Sequence, residues 1–413
     1  MGGFGQKQFV WATVFKFNIF IEKTVQLHPN IMKIGIVCYP TFGGSGVIAT
    51  ELGMGLARRG HHVHFITYRQ PVRLSQHFQE NIYYHEVSGV DYPLFEYPPY
   101  DTALASKLVD VVKYENLDIL HVHYAIPHAM VAYIAKKILL TEGRYVPVIT
   151  TLHGTDITLV GSNRIFAPVV EFSINKSDGV TTVSQSLKDD TLKSFNIKNE
   201  IKVIYNFIDF SRFKKTNKEH FKKIIAPNDE KILVHVSNFR KVKRVEDVIY
   251  VFQKVYEKIP CKLLLIGDGP ERQYMEELCR QIGLCPEIRF LGKQDAVEEL
   301  LAIADLFIIP SGNESFGLAA LEAMACEVPV ISSNVGGLPE VNIHGVTGYL
   351  SDVGNVDEMA QHAIHLLSDE TLLQQFRKNA LAQAQRFDIE NILPHYEAYY
   401  KEVIEKSVFV KAE

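Results

Sequence analysis

The segment LFIIPSGNESFGLAALE, residues 306–322, contains the signals of a strand, a turn and a helix in succession. It opens on a short apolar run, continues through a polar turn with Pro and Gly, and ends in residues that favour a helix. A buried strand that leads through a turn into a helix is the repeating unit of a parallel sheet. This segment therefore predicts an α/β fold.

The same alternation extends in both directions from this segment. A first series of apolar runs ends near residue 205 and a second series follows it, with helix-compatible stretches between the runs. Strands that alternate with helices form parallel sheets through right-handed crossovers. The pattern predicts two Rossmann-like, doubly wound domains that face each other across a cleft. Their strands are expected at residues 34–38, 62–67, 119–123, 148–152, 179–183 and 202–205, and then at 232–236, 262–266, 288–291, 306–309 and 329–332.

The chain length agrees with two domains, because 413 residues exceed what one hydrophobic core usually organises. We expect an N-terminal domain over residues 32–205 and a C-terminal domain over residues 206–386. A final helix over residues 387–413 has its apolar residues on one face, and it should pack back near the N-terminal domain. Residues 1–31 lack this patterning, and we expect them to be an extension that contributes nothing to the fold.

Composition and charge exclude several classes of protein. Hydrophobic residues make up 47% of the chain and charged residues 22%, which is typical of a globular protein. A formal net charge of -5 argues against nucleic acid or an anionic membrane as the main partner. The sequence predicts a cytoplasmic protein that acts on small molecules without stable membrane association, and a homo-oligomer is compatible with it.

The five cysteines are scattered and form no CxxC pair. Such spacing in a cytoplasmic protein favours reduced thiols over disulfides or metal ligands. We therefore expect free thiols at Cys38, Cys261, Cys279, Cys285 and Cys326.

In open parallel sheets, ligands bind beyond the carboxyl ends of the strands. Glu314 and Glu322 follow such a strand and are eight residues apart, so they would share one face of a helix that starts early enough. The turn of Ser315, Phe316 and Gly317 between them would present N–H groups to an anion. Glu322 also stands among apolar residues, where an acid usually has a partner. The pattern predicts one carboxylate beside a sugar hydroxyl and the other beside a ribose.

Cations are concentrated in residues 237–244, SNFRKVKR, directly after a predicted strand. A leaving diphosphate develops negative charge, which positioned Arg and Lys side chains stabilise without a metal. An exposed basic loop is the simpler alternative. Because no DxD-type acidic pair stands at a strand end, we expect no metal at the site.

Three further segments lie at predicted strand ends in the first half of the chain. Residues 41–46, TFGGSG, lead into a helix and suit an anion. Residues 120–124, LHVHY, place two histidines on one face of a strand. Hydrogen-bonded histidines with a structural role are favoured there over a pair of metal ligands. His153 is followed by Gly154, which frees the backbone at a strand end, and this favours a functional role.

A nicotinamide-dependent oxidoreductase is the alternative from another class, since residues 44–49 fit a GxGxxA fingerprint. That fingerprint requires an acidic residue after the second strand to hold the ribose. Residues 68–70, Tyr-Arg-Gln, provide none, although an Arg suits a 2′-phosphate.

Residues 314–322 resemble the E-x7-E element of the retaining GT-B glycosyltransferases of the GT4 group, and the resemblance runs from residue 32 to the C-terminus. Residues 38–46, 96–100, 121–128, 152–156, 205–209 and 237–244 are similar to the members of that group that act in bacillithiol biosynthesis. This resemblance implies transfer of N-acetylglucosamine from UDP-N-acetylglucosamine to the hydroxyl of L-malate with retention of the α configuration. It implies neither a cofactor nor a metal.

The resemblance also implies roles for individual residues, carried over by matching position. The catalytic set is His153, Arg240, Lys243 and Glu314. The donor would be bound by Gly44, Arg240, Lys243, Glu314, Ser315, Phe316, Gly317, Leu318 and Glu322, with Glu322 on the ribose. The acceptor would be bound by Ser45, Tyr124, Thr151, His153 and Asn206. Ser237 and Asn238 stand where many GT4 members have Gly-Arg, which is a departure from the pattern.

Overall fold

The computed structural model describes residues 31–41, 43–74, 79–89, 99–159, 161 and 163–410. The expectation for residues 1–31 therefore lies outside the described residues, except for Ile31. Residues 96–98 of the motif quoted above also lie outside it.

The first half of the chain forms a seven-stranded sheet with the order β3-β2-β1-β4-β5-β6-β7, and all of its pairings are parallel. The order reverses between β1 and β4, which makes the sheet doubly wound. The strands are β1 (Lys33–Val37), β2 (His62–Thr67), β3 (Ile82–Glu86), β4 (Ile119–His123), β5 (Val148–Leu152), β6 (Gly179–Thr182) and β7 (Ile201–Val203). The helices between them are α1 (Gly44–Arg58), α2 (Tyr100–Glu115), α3 (Met130–Thr141), α4 (Ala167–Lys176) and α5 (Gln185–Ser194).

The second half forms a six-stranded parallel sheet with the order β10-β9-β8-β11-β12-β13. Its strands are β8 (Lys231–Val236), β9 (Cys261–Ile266), β10 (Ile288–Gly292), β11 (Leu306–Ile309), β12 (Val330–Ser333) and β13 (Gly348–Ser351). Its helices are α6 (Glu219–Ile225), α7 (Val245–Tyr256), α8 (Arg272–Gln281), α9 (Val297–Leu301), α10 (Leu318–Ala325), α11 (Leu338–Val341), α12 (Val356–Ser368) and α13 (Glu370–Ala384).

The last helix, α14 (Ile389–Val410), returns to the first sheet. Its apolar face lies in the same buried cluster as β1 and α1, with Tyr396 and Tyr400 fully buried. The chain passes between the two halves twice, near residue 208 and near residue 388. These two crossings are adjacent, since Ile208 N donates to Phe387 O and Ile389 N donates to Ile208 O, each at 2.9 Å. The two connections are therefore joined to each other.

The predicted α/β class and the two doubly wound sheets are confirmed, and two strands were missed. Both β3 and β13 are edge strands. The residues of β3 are exposed or partly buried, and β13 is the short sequence GYLS, so neither gives a continuous apolar run. The expectation of free thiols is wrong for Cys279 and Cys285, which form a disulfide. The turn after α8 brings their Cα atoms to 5.2 Å, while the other three cysteines are free and buried.

Candidate active site

The helix that follows β11 starts later than the sequence pattern required. It begins at Leu318, after Gly317 at a φ of 97°, so Glu314 lies in the preceding loop and only Glu322 lies on the helix. The expectation that the two carboxylates share a helix face is therefore wrong. Gly317 causes this late start, since a left-handed residue ends the turn before a helix can form.

Between these carboxylates, residues 315–318 form a turn at the start of α10, named here the 315–318 turn. Among the described residues, no acceptor is found for the backbone N–H groups of this turn. Free N–H groups at a helix start attract an anion. The Phe316 side chain is buried beside Phe387 at a ring distance of 5.5 Å, so Phe316 offers only its backbone.

The turn is supported from behind by the glycine pair 336–337. Gly337 N donates to Glu314 O at 2.9 Å. A Cβ on Gly336 would lie 1.9 Å from Glu314 O, so only glycine allows this approach. The glycine pair thus fixes the backbone that leads into the 315–318 turn.

Glu314 and Lys243 form an ion pair, and both side chains are largely buried. The Ser311 hydroxyl donates to the same carboxylate oxygen of Glu314 at 2.9 Å. The loop of residues 237–244 is attached to this region through its backbone, because Gly312 N donates to Val242 O at 2.7 Å. The structure therefore brings Lys243 and Glu314 into direct contact.

Arg240 lies in the same loop but is exposed. Its guanidinium makes no hydrogen bond or ion pair with any residue in the described part of the chain. The structure thus leaves this cation exposed and without a partner among the described residues.

Glu322 is half-buried on α10, and its carboxyl is electrostatically unusual. Burial raises its pKa to about 7, and the positive charges of Arg73 and Arg212 oppose that rise. Arg73 comes from the first half of the chain, where it forms an ion pair with the buried Glu51 of α1. The sequence interpretation assigned no role to either residue.

On the other side of the cleft, three of the predicted acceptor residues lie together. The hydroxyls of Ser45 and Tyr124 are 2.7 Å apart. The rings of Tyr124 and His153 are 5.3 Å apart. Tyr124 has a φ of 85°, a strained conformation for a large side chain, and such strain is concentrated at functional sites.

A row of buried histidines stands behind these residues. His153 Nε2 and His123 Nδ1 are 2.8 Å apart, and the ring of His121 stacks on that of His123. Burial lowers the pKa of His153 and of His121 to about 3 and the pKa of His128 to about 4. These imidazoles are therefore neutral near neutral pH, and His153 acts as a hydrogen-bonding group and not as a cation.

Asp156 ends the segment 152–156, and the sequence pattern predicts no role for it. Its carboxylate accepts from Gly154 N and from Ala125 N, each at 3.0 Å, and more weakly from His153 N at 3.3 Å. It thereby ties the loop after β5 to the loop after β4. The signal was present, since an acid two residues after a strand-end glycine suits a loop amide.

Two predicted acceptor residues are less available. The Thr151 hydroxyl is fully buried and lies 2.6 Å both from His121 Nε2 and from Thr181 Oγ1. The structure does not bring it together with Ser45 and Tyr124. Asn206 is also buried, and its side-chain oxygen has no hydrogen-bond partner among the described residues.

The two sides of the cleft meet at glycines. A Cβ on Gly44 would lie 3.6 Å from Leu318 Cδ2. Gly154, at a φ of 106°, faces Ser315 so closely that a Cβ there would lie 1.7 Å from the Ser315 hydroxyl oxygen. The 315–318 turn therefore lies directly against the loop that carries His153.

No helix in the described part of the chain is long and apolar enough to cross a membrane.

Comparison with known proteins identifies the family. Residues 42–212 match the family described as Glycosyltransferase Family 4, and residues 216–383 match the family described as Glycosyl transferases group 1. The chain is 49% identical to N-acetyl-alpha-D-glucosaminyl L-malate synthase of Bacillus anthracis, over 90% of this chain and 97% of that protein. It is 30% identical to an uncharacterised glycosyltransferase of Methanocaldococcus jannaschii, over 91% of this chain and 99% of that protein.

Solved structures agree on the architecture. The chain matches Anabaena HepE, crystallised with UDP and glucose, with a TM-score of 0.75 at 22% identity, over 90% of this chain and 99% of that chain. This likeness confirms the predicted GT-B architecture. Together with the relatives that match nearly their whole length, it shows that the chain is an enzyme of the glycosyltransferase 4 family.

Proposed function

We propose that this glycosyltransferase transfers N-acetylglucosamine from UDP-N-acetylglucosamine to the hydroxyl of L-malate with retention of configuration, the first step of bacillithiol biosynthesis. The name of the Bacillus anthracis relative supports the acceptor and the sugar. The observation that carries the proposal is the contact between the 315–318 turn and the His153–Gly154 loop. A turn with free N–H groups suits a diphosphate, and it lies within reach of the groups that would hold the acceptor.

We propose the donor site on the second half of the chain, residues 206–386. Arg240, Lys243 and the 315–318 turn would hold the diphosphate together with Gly44. Glu322 would accept from the ribose hydroxyls, and Glu314 would contact the sugar. The ion pair between Lys243 and Glu314 supports this arrangement, because it holds the ammonium beside the carboxylate that would contact the sugar.

We propose the acceptor site on residues 32–205, with Ser45, Tyr124 and His153 as its centre. The neutral His153 would accept a hydrogen bond from the acceptor or donate one to it. Asn206, at the connection between the halves, has an unpartnered buried oxygen that a ligand hydroxyl would satisfy. Thr151 would support the acceptor site indirectly, since its buried hydroxyl is hydrogen-bonded to His121.

In the proposed reaction, the acceptor hydroxyl attacks the anomeric carbon from the face that the diphosphate leaves. The C–O bond to UDP breaks as the new C–O bond forms, and the hydroxyl proton passes to a leaving phosphate oxygen. Arg240, Lys243 and the N–H groups of the 315–318 turn would stabilise the charge on that phosphate. An enzyme carboxylate nucleophile is not needed.

The direct test is incubation of the purified protein with UDP-N-acetylglucosamine and a panel of hydroxy acids, with the products read by mass. We expect a product with L-malate, and none with carboxylic acids without a hydroxyl, which are added to the panel as controls. In the same buffer, UDP-N-acetylglucosamine should raise the melting temperature through mass-action linkage, whereas NADH and NADPH should not. Stabilisation by NADPH alone would favour the oxidoreductase alternative.

Metal independence is a second expectation. In the part of the chain that the structure describes, the group with metal-ligand spacing is His64, His85 and Glu115, and none of these belongs to the proposed site. Turnover should therefore persist in excess EDTA, because cationic side chains and backbone N–H groups stabilise the leaving phosphate. Loss of turnover in EDTA, restored by a divalent cation, would contradict this assignment.

The pH dependence of donor use should report on Glu322. Its pKa of about 7 means that the carboxylate is lost as the pH falls through neutrality. Ribose hydroxyls need that carboxylate as an acceptor, so donor kcat/KM should fall by about tenfold between about pH 8 and about pH 6. The buried histidines, whose pKa values lie at about 3 to 4, stay neutral over this range.

The control for this profile is Glu322→Gln, which removes the titrating group and keeps the shape. The variant should have a lower donor kcat/KM at high pH and a flat profile across the same range. An unchanged slope in Glu322→Gln would assign the titration to another group.

A further inference from the structure

A carboxylate from the second half of the chain caps a helix of the first half. The backbone N–H groups of Gln185 and Ser186 donate to the two carboxylate oxygens of Glu340, each at 2.9 Å. These two N–H groups stand at the start of α5, where they have no acceptor within the helix itself. A negative charge at a helix start is also favoured by the helix dipole. Glu340 thus makes a two-point bond between the halves.

The residue before that helix makes a second bond between the halves. The Ser184 hydroxyl accepts from Leu187 N at 3.0 Å and donates to Ser315 O at 2.6 Å. One hydroxyl therefore caps α5 and also holds the carbonyl of the first residue of the 315–318 turn. The start of α5 contacts this turn directly through Ser184 and the segment behind the turn through Glu340.

Glu340 is close in sequence to the glycine pair that supports the same turn. Gly337 N donates to Glu314 O, and a Cβ on Gly337 would lie 2.6 Å from Ser315 O. Glu340 belongs to the short helix α11, Leu338–Val341, which starts directly after the glycine pair. Bonds that hold Glu340 in place therefore also restrict the glycine pair. Glu340 therefore acts on the turn through the glycine pair, while Ser184 bonds to the turn directly.

We propose that Glu340 and Ser184 are positioning residues for donor use: they hold the 315–318 turn against the His153–Gly154 loop by anchoring it to the start of α5. This inference rests on the proposed function, in which the N–H groups of that turn bind the diphosphate. Neither side chain touches a reacting atom. Their effect is to fix the N–H groups before the leaving phosphate develops its charge, which is when preorganised donors stabilise it most.

The experiment compares Glu340→Ala, Ser184→Ala and the double variant with the wild-type enzyme. Asp369→Ala is the matched control. Asp369 also caps a helix, because its carboxylate accepts from Leu372 N of α13 at 3.0 Å, but this cap and its helix both belong to the second half of the chain. We expect donor kcat/KM to fall by about tenfold or more in Glu340→Ala and in Ser184→Ala, from the loss of bonds to a charged group or to the turn. The double variant should lose less than the product of the two single losses, because both act on one turn.

Hydrogen exchange gives a readout that needs no substrate. Backbone exchange in a peptide covering residues 311–321 should accelerate in Glu340→Ala and Ser184→Ala and stay at the wild-type rate in Asp369→Ala. A purely structural role would instead lower the melting temperature in all three variants and leave that peptide unchanged. Should Glu340→Ala not fold, Ser184→Ala, which removes one hydroxyl, carries the test.

The inference is overturned if the folded variants keep wild-type donor kcat/KM and wild-type exchange in residues 311–321. Failure of the proposed function looks different. In that case the wild-type enzyme makes no product from UDP-N-acetylglucosamine and L-malate, while the exchange comparison still reports whether Glu340 and Ser184 hold the turn.

Discussion

Replacing Glu314 with Ala should lower kcat by about 10²-fold or more and raise donor KM by much less. In the proposed site the carboxylate lies beside a sugar ring that gains positive charge in the transition state. Interactions that strengthen only in the transition state affect kcat more than KM. The variant also leaves Lys243 without its carboxylate partner, which favours the ground-state contact between the ammonium and the diphosphate. Steady-state kinetics with both substrates varied would measure the split.

Ser311→Ala is the matched control for this variant. It removes the hydroxyl that donates to Glu314 at 2.9 Å and leaves the carboxylate and its ion pair in place. We expect a kcat loss of less than about tenfold, the usual scale for one neutral hydrogen-bond donor. Melting temperatures should accompany both measurements. Wild-type kcat and KM in a folded Glu314→Ala enzyme would refute the role of this carboxylate.

The second large effect is expected from Gly154→Ala, which adds one carbon where the two halves meet. The new Cβ would lie 1.7 Å from the Ser315 hydroxyl oxygen and 2.7 Å from Ser315 Cβ. Rotating the hydroxyl cannot relieve the second contact, so the 315–318 turn must move away from the His153 loop. We expect kcat/KM to fall by about 10²-fold or more, because small displacements of aligned groups are costly for catalysis.

Gly60→Ala separates this steric effect from backbone strain. Gly60 has a φ of 95°, close to the 106° of Gly154, but a Cβ there meets nothing within 4 Å. Both variants should lose about 1–2 kcal/mol of stability from the left-handed backbone. Only Gly154→Ala should lose activity, and small-angle scattering should show a larger radius of gyration for it alone. Activity of Gly154→Ala within a few-fold of Gly60→Ala would contradict the closed contact described above.

Strand and helix alternation was enough to predict the two sheets, because buried parallel strands are apolar along their whole length. The edge strand β3 was missed because its sequence IYYHE contains exposed and polar residues. The start of α10 was misjudged because composition does not show that Gly317 takes a positive φ. Local sequence therefore predicts buried elements well and their ends less well.

The candidate site shows the same limit at longer range. The residues around Glu314 and His153 were found because each group lies beside a strand end, which is a local property. Ser184 and Glu340 were not given roles, because their partners are set by tertiary packing. Asp156 differs from them, since two of its partners are local and only Ala125 N is distant in sequence. Glu340, for example, caps a helix that starts about 155 residues earlier in the chain. No spacing rule within one segment connects the two.

The paired connections between the halves limit the relative motion that we expect of them. Ile208 is hydrogen-bonded on both sides to the segment that leads into α14, so the two connections cannot slide past each other independently. Of the motions left to the halves, we expect a rotation about an axis near Ile208 and Asp388, where the two connections are bonded to each other. Asn206 is two residues before Ile208, so such a rotation would move it little and would move groups farther from the axis more. In such a rotation, a ligand bound both to Asn206 and to the 315–318 turn would fit at only one angle between the halves.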